Sequence, residues 1–600
     1  MGSMDSGEIG KSATTQRGLG FMASTVLFYV VCLAIVLGDV ADGKLYHADV
    51  DNEMRALQIG YLLSGAGSWF DLTLPFIQTP ESYVSPWSRL VDLPYVAIAS
   101  LAGLALPADS ALQLAFAVWP PLLLGVFSLL IVAIARRLVG SVALPRRVWV
   151  LTTMFMPVTM VIGVLEFAPG RIDHHNLQIV AMLMMALGLL RADRRGGALV
   201  GAGATISLVI GLECIPFVAL AYGVLVAGYV AGVAAAQRML VAASLVMAPL
   251  SIVCAIAFLG PAATSTQCDA FSAPYLMLAF GLSLVVLVVI HRLGETAGSA
   301  VRLAALGVGG GLVFGLAALM FPECLAGPYA MIDPLSKALW FERIWQEHSF
   351  LYFYSSGVFV VANLALMAML LFLAVPLALA RLRAGDIGAV AFFLFAASSF
   401  ALTLILTRYV RFPAAIVPIL IPAIVAWRIA NPGASRVQTF ATAGALVSAV
   451  VFAAVSFVAP TVGRSFDAID YMAFDECKAG DFSILDRVAP GRIALPQGLS
   501  LPIVKAMPSG FSVAAVPFHR AAPGMKRMFE AFTTHDPAVR RAALAPFDYV
   551  AVCRFPLKPE PGDSPLYAAL SAGTDWPGLT RLENSGNDFQ LFRIDHAALR

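Results

Sequence analysis

The stretch GRIDHHNLQ, residues 170–178, sets an aspartate and two adjacent histidines, Asp173, His174 and His175, directly before a long apolar run. A carboxylate oxygen and an imidazole nitrogen both ligate divalent cations. With a single residue between them, Asp173 and His175 can point into one site from an extended loop. Ionisable groups beside hydrocarbon are costly and tend to be functional; the plainer reading is a polar loop at a membrane interface. A second cluster, YHADVDNEMR at residues 46–55, offers Asp49, Asp51 and Glu53, with Arg55 close by. Its plainer reading is a solvated loop that starts a helix, because aspartate is a good N-cap. If both loops lie on one face, they can share a metal ion, and an aspartate can take a proton from an attacking hydroxyl.

The elements that must position these residues are membrane spans. Of the 600 residues, 59% are hydrophobic and only 13% charged, against about 25% charged in soluble domains. Apolar runs near 20 residues, enough for about 30 Å of hydrocarbon, recur at 18–38, 108–135, 147–165, 176–191, 197–212, 215–232, 238–259, 275–291, 299–320, 353–380, 386–406, 412–428 and 438–460. This pattern predicts an α-helical polytopic membrane protein of about thirteen spans; a β-barrel would instead show short alternating segments. Residues 92–107 are apolar but short and read as interfacial or re-entrant. Residues 1–17 form a polar tail, and the first run is read as a retained helix, since no small-residue cleavage site follows it.

Arginine-rich loops such as ARRLVGSVALPRR, RADRR and RLRAGD fall on one side of this layout, which the positive-inside rule makes cytoplasmic. The opposite side holds the outer loops 39–107, 166–175 and 321–352 and everything after the transmembrane domain 18–462. The tail 463–600 has an ordinary soluble composition. Short β-type runs (RIALP, FSVAAVPF, DYVAVCRF, FQLFRID) alternate there with helical stretches, predicting a small α/β domain. Of seven cysteines, Cys32, Cys214 and Cys254 fall in or beside apolar runs, whereas Cys268, Cys324, Cys477 and Cys553 fall on the outer side. An oxidising periplasm would make Cys268–Cys324 and Cys477–Cys553 candidate disulfides; four separate thiols remain the alternative. A net charge of +2 gives no reason to expect a nucleic-acid partner.

On these residues the chain resembles the GT-C superfamily of membrane glycosyltransferases, and specifically the catalytic subunits of oligosaccharyltransferases. Those proteins are similar in having thirteen spans and an outer C-terminal domain. Their first outer loop carries an acidic residue six positions before an arginine, matched by Asp49 and Arg55, and their second motif, Asp-x-Asp or Asp-x-His, is matched by Asp173 and His175. The resemblance implies Asp49 as catalytic carboxylate and cation ligand, with Asp51 beside it, and Asp173 and His175 as further ligands. His174 and Arg55 would support them, and Glu166 and Arg171, which flank the DHH turn, would orient it. It implies a loop glutamate closing over the site, assigned to Glu347 in KALWFERIWQEHSF in preference to Glu342, although the family's Ser/Thr-x-x-Glu pattern is absent. It also implies an arginine for the donor phosphate, Arg408 or Arg411 in LTRYVRFPAA; a planar guanidinium donates two hydrogen bonds to a phosphate. The acceptor-reading WWDYG string is absent, so the resemblance covers the membrane part and leaves the acceptor open.

The expected chemistry is transfer of a sugar or oligosaccharide from a polyprenyl phosphate or diphosphate donor to a glycan, lipid or protein acceptor. The expected cofactor is Mn²⁺ or Mg²⁺, the histidine favouring Mn²⁺. The expected location is a bacterial inner membrane with the site facing the periplasm. A transporter or flippase of lipid-linked glycans would gather its ionisable groups at mid-membrane in broken helices, and a non-catalytic scaffold would not need the carboxylates. Here the ionisable residues gather at one face. Trp87, Arg89 and Asp92 in SPWSRLVDLP read either as an acceptor groove or as a structural brace, and His519 as a packed side chain. There is no Walker loop, dinucleotide fingerprint or nucleophile elbow.

Overall fold

The computed structural model describes residues 6–599 except 42, 44, 46–48, 79, 141, 143, 295, 351–357, 434, 459–467, 476, 478–479, 555–563 and 584–587. The start of the acidic loop at 46–48, the start of the 353–380 run and the end of the 438–460 run therefore lie outside the described residues. The chain divides into two compact units. One comprises residues 1–48, 88–325 and 348–462, the other residues 49–87, 326–347 and 463–600.

The first unit is a bundle of apolar helices. Among the described residues, ten helices are long and apolar enough to cross a membrane, including Gly20–Asp39, Ala108–Val139, Ala234–Thr264, Thr407–Ala430 and Arg436–Ala454. All thirteen apolar runs of the sequence are helical where described, but three fall short of the count. The 147–165 run breaks into Arg146–Thr159 and Val161–Leu165, with Pro157 inside the first piece; a proline costs a backbone donor and kinks the helix. His175–Arg191 and Arg194–Ile210 have 17 residues each, about 26 Å at 1.5 Å per residue. These two are inner helices. Arg194–Ile210 sets glycines against the backbone of Ala234–Cys254: a Cβ on Gly197 would fall 2.2 Å from the Met239 carbonyl oxygen, and one on Gly201 2.3 Å from that of Ala243. Small residues let helix backbones approach closely where lipid supplies no hydrophobic drive. Helix Ser299–Met320 is the converse, with none of its apolar window buried and Leu312 and Phe314 outward, as suits a lipid-facing element. The 92–107 region is the helix Arg89–Ala102, braced at its start by an Arg89–Asp92 ion pair of 3.0 Å between fully buried side chains.

The close crossing gives a direct test. Gly201→Val puts two methyls where a single Cβ already collides with backbone. It is expected to cost about 3 kcal/mol or more and to lower the thermal midpoint of the detergent-solubilised protein. Gly223→Ala, in open space, serves as the control, with a shift near zero.

The second unit is an α/β domain around a seven-stranded sheet in the order β2-β1-β4-β3-β5-β7-β6. The strands are β1 (Thr73–Gln78), β2 (Ser82–Val84), β3 (Arg492–Ala494), β4 (Ser512–Val513), β5 (Tyr549–Cys553), β6 (Leu579–Arg581) and β7 (Phe589–Ile594). The four β-type runs of the tail become β3, β4, β5 and β7. β1 pairs parallel with β4, so a hairpin from the first outer loop extends the sheet of the C-terminal segment. β3, β4 and β5 are parallel, and β5–β7–β6 are antiparallel. β5 is buried at all five positions, as expected for a strand covered on both faces. Helix Ala522–Thr533 contributes Met525, Met528, Phe529 and Phe532 to the same core as the strand residues. Cys477 and Cys553 form a disulfide in this unit, and Cys268 and Cys324 form one in the helical unit.

Candidate functional site

In the helical unit the chemistry gathers where the helix Val161–Leu165 ends. Gly163 lies against Ala415, with room for a Cβ only at 3.0 Å. That contact brings Glu166, just past the helix end, to the start of the helix Arg411–Ile416. The chain then turns through Gly170, whose φ of +87° favours glycine. Asp173 follows, its Oδ1 accepting the His175 backbone N–H at 2.9 Å. This local bond fixes the carboxylate and starts the helix His175–Arg191, with His174 as the residue before it. Gln178 ties that helix to the next by donating to the Gly211 carbonyl at 3.1 Å and accepting from Ser207 at 2.9 Å.

The result is a dense charged cluster among apolar helices. Arg171 donates to Glu166 at 3.0 and 3.3 Å and lies 3.5 Å from Asp173. Arg411 lies 3.7 Å from Glu166. Asp173 is fully buried, and His175, Glu166, Arg171 and Arg411 are nearly so. Arg408 sits half-buried one turn before Arg411, in the turn Thr407–Val410. Of the residues singled out in the sequence, Asp173, His174, His175, Glu166, Arg171 and Arg411 are thus neighbours in one unit.

Glu213 joins them, and sequence reasoning missed it. It lies in the short turn Leu212–Cys214 between two apolar helices. Its Oε1 is 3.3 Å from His175 Nδ1 and 3.6 Å from His174 Nε2, while its carbonyl accepts from the Tyr409 hydroxyl at 2.9 Å. A signal was present: Glu213 is the only acidic residue between Asp193 and Asp269, inside a run otherwise apolar. Three carboxylates, Glu166, Asp173 and Glu213, therefore face two guanidiniums and two imidazoles. Oxygen and nitrogen donors with an excess of negative charge suit a divalent cation. Glu213 Oε1 is buried and accepts no hydrogen bond among the described residues.

The remaining candidates belong to the second unit. Asp49 is the N-cap of the helix Val50–Leu63, its Oδ1 accepting from the Asn52 backbone N–H at 3.0 Å. Asp51 stands in the first turn of that helix. Arg55 is fully buried, with its guanidinium 4.4 Å from the centre of the Trp87 ring, a stacked contact between cation and indole. Glu53 pairs with Lys505. Glu347 ends the turn Trp345–Glu347 and is half-buried. Trp87 packs edge-on against Phe518 at 5.2 Å, so it braces the unit's core. His519 lies 5.4 Å from the Tyr329 ring.

No family model matches the chain, and no curated protein does. Solved structures do. The chain is similar to the archaeal oligosaccharyltransferase AglB from Archaeoglobus fulgidus in complex with an inhibitory peptide and a dolichol-phosphate, with a TM-score of 0.58 at 12% identity, over 96% of this chain and 74% of that one. An Archaeoglobus fulgidus oligosaccharyltransferase complex with Zn and sulfate gives 0.56 at 13% identity, over 94% and 72%. One tethered to an acceptor peptide containing the NVT sequon gives 0.54 at 12%, over 95% and 74%. At these identities the likeness is one of fold: a polytopic helical membrane protein with a small sheet-containing domain.

Proposed function

We propose that the chain is a membrane glycosyltransferase. It moves a sugar or oligosaccharide from a polyprenyl phosphate or diphosphate to an acceptor hydroxyl, on the periplasmic face of a bacterial inner membrane. The observation that carries this reading is the buried Asp173–His175 pair beside Arg171 and Arg411, in a chain whose fold is that of oligosaccharyltransferases. Neighbours of that fold carry a dolichol-phosphate in one case and an acceptor peptide in another, which supports a lipid-linked donor. The sequence carries no WWDYG string, and the acceptor in this reading is a glycan, a lipid or a protein.

In this reading Asp173 and His175 would hold a divalent cation, and Asp49 and Asp51 are the proposed catalytic carboxylates of the first outer loop. A cation held there would supply positive charge for the departing phosphate. Arg408 and Arg411 bind the phosphate oxygens, Arg by its paired donors. Asp49 accepts the proton as the acceptor oxygen attacks the anomeric carbon. The carbon–oxygen bond to phosphate breaks with its electron pair leaving on the phosphate. A single displacement inverts the anomeric centre. Glu347 closes the outer loop over the donor.

The test exploits the cap. Asparagine caps a helix as well as aspartate does, so Asp49→Asn keeps the bond to the Asn52 N–H while removing the base. In membranes supplied with lipid-linked donor, the variant is expected to lose about 100-fold or more in transfer rate without a change in thermal midpoint. Chelator should abolish transfer by the wild type, and Mn²⁺ restore it. Undiminished transfer by the variant in chelator removes this mechanism.

A further inference from the structure

We infer that His174, His175 and Glu213 form a transition-metal site within the helical unit. The donors are two imidazole nitrogens and one carboxylate oxygen, and the ions they take are those that bind imidazole well, such as Zn²⁺ and Co²⁺. The inference deepens the proposed function by adding His174 and Glu213 to the donor set. It rests on that reading for the use made of the ion, not for its binding.

Three observations carry it. The first is distance. Ligands about 2.0–2.1 Å from a shared tetrahedral ion stand about 3.3–3.4 Å apart; Glu213 Oε1 stands 3.3 Å from His175 Nδ1 and 3.6 Å from His174 Nε2. The three donor atoms all lie within 4.8 Å of one another. The second is the state of the carboxylate. At 3.3 Å an N–H aimed at Oε1 would be a hydrogen bond, yet Oε1 accepts none among the described residues. Close approach without a hydrogen bond is the geometry of donors arranged around a common centre. The third is preorganisation. Each donor is fixed by contacts unrelated to the ion: the His175 N–H on Asp173, the Glu213 carbonyl under Tyr409, and the two imidazole rings edge-to-face with centroids 4.3 Å apart. A site held in place by its surroundings pays little to order itself on binding.

The donor set also sets the preference among ions. Mg²⁺ seeks an octahedron of oxygens and keeps several waters. Two imidazoles and one carboxylate are the protein donors of many tetrahedral zinc sites, and the fourth position falls to the Asp173 carboxylate that the proposed function assigns to the same ion. Zn²⁺ and Co²⁺ should therefore bind here far ahead of Mg²⁺.

The experiment uses the full chain, purified in detergent, stripped with chelator and titrated with Co²⁺ while its visible ligand-field absorption is followed. The wild type should take up Co²⁺ with the intense bands of a four-coordinate site. Zn²⁺ should displace it, and excess Mg²⁺ should not. Glu213→Gln and His174→Asn should each weaken Co²⁺ binding by roughly tenfold or more, with the metal-free thermal midpoint reporting that each variant is folded. Wild-type Co²⁺ affinity in both folded variants, or displacement of Co²⁺ by Mg²⁺, overturns the site. If Glu213→Gln does not fold, His174→Asn and the wild-type spectrum decide. Loss of Co²⁺ from the variants, in a protein that shows no sugar transfer, would uphold this site while overturning the transferase reading. Metal-dependent transfer with unchanged Co²⁺ affinity in the variants would do the reverse.

Discussion

Asp173→Asn is expected to lower sugar transfer by about two to four orders of magnitude while shifting the thermal midpoint only slightly. The two effects separate because of how Asp173 is held. Its Oδ1 accepts the His175 N–H at 2.9 Å, and the amide oxygen of asparagine can take the same bond, so the helix His175–Arg191 keeps its start. Arg171, 3.5 Å from Asp173, also donates twice to Glu166. The substitution therefore leaves no guanidinium buried without a carboxylate, and the cost to stability should stay near 1 kcal/mol. What it removes is a fully buried negative charge beside two imidazoles. A neutral amide is a poor cation ligand and offers nothing to offset the charge of a metal. Initial transfer rates in proteoliposomes, at saturating donor and over a range of Mn²⁺, give the measurement. If the variant retains more than about a tenth of the wild-type rate, Asp173 is not a ligand of the ion the reaction uses.

That prediction starts from residues that local sequence exposes, and the contrast with Glu213 shows why. Asp173, His174 and His175 are adjacent, polar and flanked by apolar runs, so a single window of sequence draws attention to them. Glu213 reaches the same spot from 38 residues further along the chain. It gets there because the helix before it, Arg194–Ile210, packs closely on His175–Arg191, where a Cβ on Gly203 would fall 2.6 Å from the Ala181 carbonyl oxygen, and because Gln178 holds the Gly211 carbonyl at 3.1 Å. Hydrophobic periodicity records that a helix is buried but not which turn of its neighbour it faces, so nothing local ties Glu213 to the Asp173 turn. The same limit applies to the sheet. The runs that become β3, β4, β5 and β7 alternate visibly, whereas β1 is six residues of an outer loop, more than 400 residues from the β4 strand it joins. No local pattern encodes a pairing of that separation. Helix count was legible in composition; helix length was less so. Pro157 and the glycines of Arg194–Ile210 mark where the chain stops short of a full span.

The largest expected effect on stability belongs to Glu166. It is buried between two guanidiniums, donated to by Arg171 at 3.0 and 3.3 Å and 3.7 Å from Arg411. Glu166→Ala leaves Arg171 with Asp173 at 3.5 Å but takes from Arg411 the carboxylate it faces. Removing one partner of a buried ion pair costs about 3–5 kcal/mol, because the survivor keeps its desolvation penalty and loses its compensation. The thermal midpoint of the solubilised protein should fall accordingly, and transfer should be lost with it. The mechanism is tested by a second change. Arg411→Met in the Glu166→Ala background removes the stranded charge and fills its space with an apolar chain of similar length. The double variant should recover much of the lost stability and none of the transfer, since the proposed phosphate ligand Arg411 is then gone. Recovery of stability without activity would show that Glu166 holds Arg411 charged and buried at a cost the fold bears for the sake of the donor. Equal, additive losses in the double variant would instead mean that the two side chains act independently and that the cluster is not a single electrostatic unit.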